Sequence, residues 1–223
     1  MANRVALIVG AGPGISAAFG QTLLAAGYQV ALAARNMDKL RPLAQGMGAS
    51  AFAVDAASAS SIAQLFSEVD EALGPPEVVL YNPSARIRGD LLSLDMAAAS
   101  QAVQITALGA LATAQEAARR MLPRGSGSLF FTGATAGVKG FARSSVFAMG
   151  KFALRGLAQS LARELGPAGI HVVHFVVDGS VKHTNEPNVL TPQAIAQSYM
   201  AALAQPPGAW SWEVELRSHT EPF

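Results

Sequence analysis

Val5-Ala6-Leu7-Ile8-Val9-Gly10-Ala11-Gly12-Pro13-Gly14-Ile15-Ser16 decides how the rest of the chain is read. Five apolar residues stopped by glycines read as a buried parallel strand entering a tight turn. The next residues, 17–26, have a helical pattern. Strand, glycine-rich turn and helix form the first half of a nucleotide-binding βαβ unit. Gly10 lets the chain turn sharply off the strand. Gly12 and Gly14 lack a Cβ, so backbone N–H groups can approach a pyrophosphate. The helix starting near Ile15 aims its N-terminus, with free N–H groups and partial positive charge, at the same place. The spacing G-x-G-x-x-G fails, because Ile15 stands three residues after Gly12. What fits is G-x-x-x-G-x-G, with Gly10, Gly14 and Ser16 in the last slot. A glycine-rich turn without a ligand is the alternative reading of this segment alone.

Downstream, strand and helix alternate. A second strand over 29–34 ends in Arg35-Asn36. In dinucleotide folds an acid near this point binds the ribose 2′-OH, whereas an Arg accommodates a 2′-phosphate. Ala34 takes the acid's place and Arg35 follows, which favours NADP(H) and leaves NAD(H) possible. The alternative is a solvated Arg opening the helix from Met37. A third strand over 50–54 is closed by Asp55, a helix follows over 58–73, and a fourth strand over 77–81 runs into Asn82-Pro83-Ser84. A long Ala-rich helix is expected over 95–121, a fifth strand over 129–132 and a loop over 133–144. A second long helix covers 145–165, and a sixth strand 170–177. A loop over 178–188, a helix over 192–204 and a last strand over 210–216 complete the chain. This alternation predicts an α/β fold, a Rossmann-type doubly wound parallel sheet in a single domain over 1–223.

Composition sets the bounds. Of 223 residues, 51% are apolar and 14% charged, which describes a core-heavy globular chain and not a disordered one. A net charge of +1 gives no nucleic-acid footprint. The absence of cysteine removes disulfides, thiolate catalysis and Cys-based metal sites, and no metal is expected. No apolar run reaches the roughly 18 residues a membrane helix needs. No charged and apolar leader precedes the first strand, so a cytoplasmic location without membrane partners is expected.

The order of these landmarks resembles the short-chain dehydrogenase/reductase family across nearly the whole chain. The glycine segment resembles its TGxxxGxG, with Val9 for Thr and Ser16 for the last Gly. Asp55 falls where the family contacts adenine, and Tyr81-Asn82-Pro83-Ser84 falls on its NNAG turn with only the Asn kept. Phe147-Ala148-Met149-Gly150-Lys151 falls on YxxxK, and Asp178-Gly179 on the PG turn. The resemblance implies a seven-stranded sheet of order 3-2-1-4-5-6-7. It also implies cofactor contacts at Gly10, Gly12, Gly14, Ile15, Arg35, Asn36, Asp55, Asn82, Lys151 and Gly179.

The departures concern catalysis. The family's proton donor is the Tyr of YxxxK, and here that position is Phe147. Its substrate-orienting Ser falls on Ala134, and the Asn of its central helix falls on Gln104. A register slip of one or two residues brings Thr132 or Thr135 to the Ser position. Of the four catalytic positions only Lys151 remains, whose implied role includes holding the nicotinamide ribose.

Two function classes follow. One is an NADPH-dependent reductase of a small apolar carbonyl, imine or enone with another proton source. Tyr81, Asp178, His183 and a water held by Lys151 are the candidates. Plain packing for Tyr81 and turn capping for Asp178 are the alternatives, and His171 and His174 read as structural. The other class is a catalytically silent dinucleotide-binding protein, a sensor or partner subunit. Val181, Val189, Leu190 and Tyr199, with Val138 and Phe141, predict a mostly apolar, open cleft at the C-terminal strand ends. The two Ala-rich helices resemble those that pair across a two-fold axis in the family, so a homodimer or homotetramer is expected.

Overall fold

The computed structural model describes residues 4–184 and 186–220. Strand β1, Val5–Val9, is buried along its whole length, as a central strand with covered faces must be. Its side chains alternate between two cores. Val5, Leu7 and Val9 enter one, and Ala6 and Ile8 the other.

Seven parallel strands surround this axis: β1, β2 (Gln29–Ala34), β3 (Ser50–Ala53), β4 (Val78–Tyr81), β5 (Gly127–Thr132), β6 (Ile170–Asp178) and β9 (Glu213–Arg217). Their order is β3-β2-β1-β4-β5-β6-β9. Two short strands, β7 (Ser180–Val181) and β8 (Val189–Leu190), pair separately in parallel. Set apart from the main sheet, they leave the expected order 3-2-1-4-5-6-7 intact.

Helices α1 (Ile15–Ala25), α2 (Met37–Met47) and α7 (Pro192–Leu203) cover one face. There Phe19, Phe130, Phe175 and Tyr199 form an aromatic cluster, with ring centroids 5.3 Å apart for Phe19–Tyr199, 5.2 Å for Phe130–Phe175 and 4.1 Å for Phe175–Tyr199. Helices α3 (Ala59–Ala72), α4 (Met96–Val103), α5 (Gly109–Met121) and α6 (Ser145–Leu165) lie on the other side. Ile62, Phe66, Ala110, Ala114, Leu154 and Ala158 close that core.

Three local expectations are corrected. The helix expected over 95–121 is not regular. Between α4 and α5 the chain makes a π-helical turn, Gln104–Leu108, a form that widens the helix and has no reliable sequence signature. Gly109 follows it, packed so closely that a Cβ there would overlap the Ala56 carbonyl and the Tyr81 hydroxyl. Within the turn the buried Thr106 accepts the Ala85 N–H at 3.2 Å, and so ties this helix to the segment after β4. Secondly, the loop over 178–188 carries β7 and leads into β8, while its Asn185 lies outside the described residues. Thirdly, the last strand begins at Glu213 and not at 210, because Trp210 stacks on His171 at 4.7 Å and 4°. Among the described residues no helix is long and apolar enough to cross a membrane.

Candidate active site

The turn after β1 is braced from both neighbouring strands. The N–H groups of Gly10 and Ala11 both donate to the Ala33 carbonyl of β2 at 2.9 Å. Asn82, just past β4, donates through Nδ2 to the Gly10 carbonyl at 3.1 Å and to Ser16 Oγ at 3.0 Å, and Ser16 Oγ donates to the same carbonyl at 3.2 Å. Asn82 therefore positions the turn. Gly10 has φ +80°, and a Cβ there would stand 2.6 Å from the Pro83 ring. Gly12 and Gly14 differ: a Cβ on either meets nothing within 4 Å. Packing gives no reason for glycine at these two positions, which face open space. The first-turn N–H groups of Ile15 and Ser16 find no acceptor among the described residues. Open space, unspent donors and the positive end of α1 converge on one anion-accepting cradle.

Arg35 stands exposed just past β2, with no carboxylate partner among the described residues. Asn36 is committed elsewhere, since its side chain caps α2 by accepting the Lys39 N–H at 3.0 Å. Asn36→Ala is expected to cost about 1 kcal/mol in urea unfolding, as N-cap removals do. An Asn36→Asp variant keeping most of that stability would confirm the cap. Asp55, past β3, is exposed and accepts the Ala57 N–H at 3.0 Å.

A cleft of about 1200 Å³ opens beside the cradle, at the C-terminal ends of the strands. Ile15, Asn82, Ala134, Phe147, Lys151 and Gly179 all reach it. Lys151 is 2% exposed and donates from Nζ to the Thr132 carbonyl at 2.7 Å. Burial lowers its pKa to about 8, because the charged ammonium loses its hydration. Its Nζ lies 6.0 Å from the centre of the Phe147 ring. Asp178 accepts the Thr135 hydroxyl at 2.5 Å and pairs with Arg217. Thr132 shares a hydrogen bond with the Tyr199 hydroxyl at 3.0 Å. Both threonine hydroxyls near the Ser position are thus engaged, and Ala134 presents only a methyl group.

Other expected residues are not brought here. Tyr81 is fully buried, its hydroxyl donates to the Ile105 carbonyl, and burial pushes the phenol well above its usual range. It packs in the core and does not line the cleft. Gln104 donates to the Ala57 carbonyl at 3.2 Å and also stays out of the cleft wall. His171 bonds the Ser211 carbonyl, and His174 is buried against Glu213, with burial lowering its pKa to about 4. His183 is exposed outside the cleft.

The expected apolar wall is corrected as well. Phe141 and Val181 do line the cleft, but Tyr199 and Leu190 belong to the aromatic-side core. Their places are taken by Arg86, Arg88, Lys139 and Arg143, which make the cleft basic. These four sit in the loops after β4 and β5, where Arg-x-Arg and Lys-x₃-Arg spacings are the only sequence signal.

A doubly wound parallel sheet with a glycine-rich turn at the point where strand order reverses is the Rossmann-type architecture. Residues 4–190 match the family model for short chain dehydrogenase. The chain belongs to that family. A short-chain dehydrogenase structure from Rhodopseudomonas palustris is 32% identical, covers 97% of this chain and 99% of its own, and superposes with a TM-score of 0.86. An uncharacterized oxidoreductase of Staphylococcus aureus (strain MRSA252) is 26% identical over 215 residues, 92% of this chain and 93% of the relative. The alcohol dehydrogenase of the archaeon Thermococcus sibiricus, solved with 5-hydroxy-NADP, shares the fold at 24% identity and a TM-score of 0.87, with 98% of each chain covered.

Proposed function

We propose that this single-domain oxidoreductase of the short-chain dehydrogenase type is an NADPH-dependent reductase whose proton is delivered through Lys151. The observation that carries the reading is the buried Lys151 ammonium, eased toward pKa 8, inside the cleft beside the glycine cradle. Gly10, Gly12, Gly14 and Ile15 would receive the pyrophosphate, Arg35 the 2′-phosphate, Asp55 the adenine end, and Lys151 and Gly179 the nicotinamide end. The bound cofactor supplies a hydride to a carbonyl, imine or enone carbon.

The chain's own residues then have to supply a proton at the neighbouring atom. Phe147, at the position of the family's Tyr, has none to give. Asp178 is held as the acceptor of Thr135 and the partner of Arg217, so it orients and does not donate. Lys151 spends one N–H on Thr132 and keeps two for ribose and substrate, or for a water between them. At pH 7 a group of pKa 8 is still mostly protonated, and it releases its proton far more readily than an exposed lysine.

Calorimetric titration with NADPH and NADH tests the cofactor. NADPH is expected to bind at least tenfold tighter, about 1.4 kcal/mol, and Arg35→Ala is expected to erase the difference. Turnover of a carbonyl, imine and enone panel tests the chemistry. Binding without turnover, with reduction gained only on restoring Tyr at 147 and Ser at 134, favours the silent sensor or partner subunit.

Leu108, Leu111, Met149 and Phe152 remain exposed, at 49%, 39%, 60% and 44%. They support a homodimer or homotetramer through α5 and α6. A monomer by light scattering at micromolar concentration would remove that part. The reading includes a cytoplasmic location.

A further inference from the structure

The charge of the cleft is at odds with the charge of the chain. The whole protein carries +1, yet the cleft wall includes Arg86, Arg88, Lys139, Arg143, Lys151 and Arg217 with Asp178 as its one carboxylate. Asp178 is answered by Arg217. Arg143 has a rim partner, Asp90, at 3.4 Å, with both side chains about two-thirds exposed, a geometry that neutralises little. Arg86, Arg88 and Lys139 have no carboxylate partner among the described residues. Positive charge gathered along one open cleft raises the local potential there and draws anions in.

The cofactor does not account for these cations. Its phosphates belong at the glycine turn and Arg35, on the β1 and β2 side, whereas these groups extend from the loops after β4 and β5. The two loops are joined, because Gly89 donates its N–H to the Arg143 carbonyl at 3.2 Å. Arg86 is also placed with respect to the chemistry. Its guanidinium carbon stands 5.2 Å from the Phe147 ring centre, and Lys151 Nζ stands 6.0 Å from the same centre. The two cationic heads are therefore separated by no more than those distances together. Phe147 adds an apolar ring to the same cleft wall.

We propose that the substrate is a small acid, with its reducible carbon near Lys151 and a carboxylate or phosphoryl group held by Arg86, with Arg88 and Lys139 beside it. Guanidinium suits this task, since its planar donors meet both oxygens of such a group. The proposal rests on the reductase reading for its turnover, but its binding step does not require that reading.

The test uses 4-formylbenzoate and its uncharged methyl ester. Calorimetry on the full chain with saturating NADP⁺ measures binding without reduction. NADPH oxidation then gives kcat/KM for each. The acid is expected to bind, and to be used, about tenfold better than the ester at low salt, with the ratio shrinking as salt rises. In an Arg86→Gln/Lys139→Gln variant the ratio is expected to fall toward one. Both substitutions are at exposed positions where folding is little affected, and a cooperative melt confirms it. Acid binding without turnover upholds the anion site and overturns the reductase reading. Equal handling of acid and ester in the native protein, or an unchanged ratio in the variant, overturns the anion site and leaves the reductase standing. Binding of neither probe overturns the proposal.

Discussion

Lys151→Met is expected to lower NADPH-dependent turnover by about a hundredfold or more, the contribution typical of a positioned acid. The same change has a second signature that a merely structural lysine on the surface would lack. In the folded chain the ammonium has pKa about 8, against an ordinary value of 10.5. Below pH 8 both folded and unfolded chains are protonated, and folding bears the full cost of burying the charge. Between 8 and 10.5 the unfolded chain binds more protons than the folded one, so stability rises with pH. Above 10.5 both forms are neutral and the cost is gone. Relative to Lys151→Met, the native protein should gain up to about 3 kcal/mol across that window. Urea unfolding of both proteins at pH 7, 9 and 10.5 measures it. A flat difference would mean that the ammonium is solvated, and unchanged turnover would remove Lys151 from proton delivery.

Gly10→Ala should be strongly destabilising and should reach the cofactor cradle as well. The left-handed backbone at φ +80° costs an L-residue about 1 kcal/mol or more. The new Cβ would also press on Pro83 at 2.6 Å from Cγ and 2.7 Å from the backbone N, and a ring fused to the main chain cannot swing aside. Overpacking of this kind adds about 1–3 kcal/mol. A loss of about 2–4 kcal/mol is expected in urea unfolding. NADPH affinity should fall as well, because Asn82 and Ser16 hold the displaced carbonyl. Gly14→Ala is the informative contrast: its Cβ meets no protein atom, so stability should hold while cofactor binding suffers. If Gly14→Ala bound NADPH normally, the cradle would not be where the pyrophosphate lies.

Much of this was legible in the residues. A strand buried on both faces has to be apolar at every position, and Val5–Val9 is. Alternating strands and helices with right-handed crossovers predict a doubly wound parallel sheet, while its order and the placing of Lys151, Asn82 and Asp178 at its C-terminal edge come from the resemblance to the family. Tyr81 shows where such reading stops. A residue at a strand end can face either layer, and pleat parity decides which. Tyr81 pairs with Val9 and Phe131 and joins their core. That parity depends on register, which depends on strands far away in sequence. The basic wall escaped for a related reason. Arg86, Arg88, Lys139 and Arg143 lie in irregular segments with no periodicity, and only the folded sheet makes them neighbours.

The π-helical turn at 104–108 has a consequence for how substrate preference changes in this chain. Thr106 grips the backbone of Ala85, the residue immediately before Arg86. Gly150, next to Lys151, packs so close to the same threonine that a Cβ added there would stand 3.0 Å from it. One side chain inside a helix thus sets the height of the segment that presents Arg86 and abuts the turn that presents Lys151. If Arg86 and Lys151 act as proposed, their spacing is inherited from helical pitch, and a substitution at 106 would retune the length of molecule accepted without altering a residue that touches it.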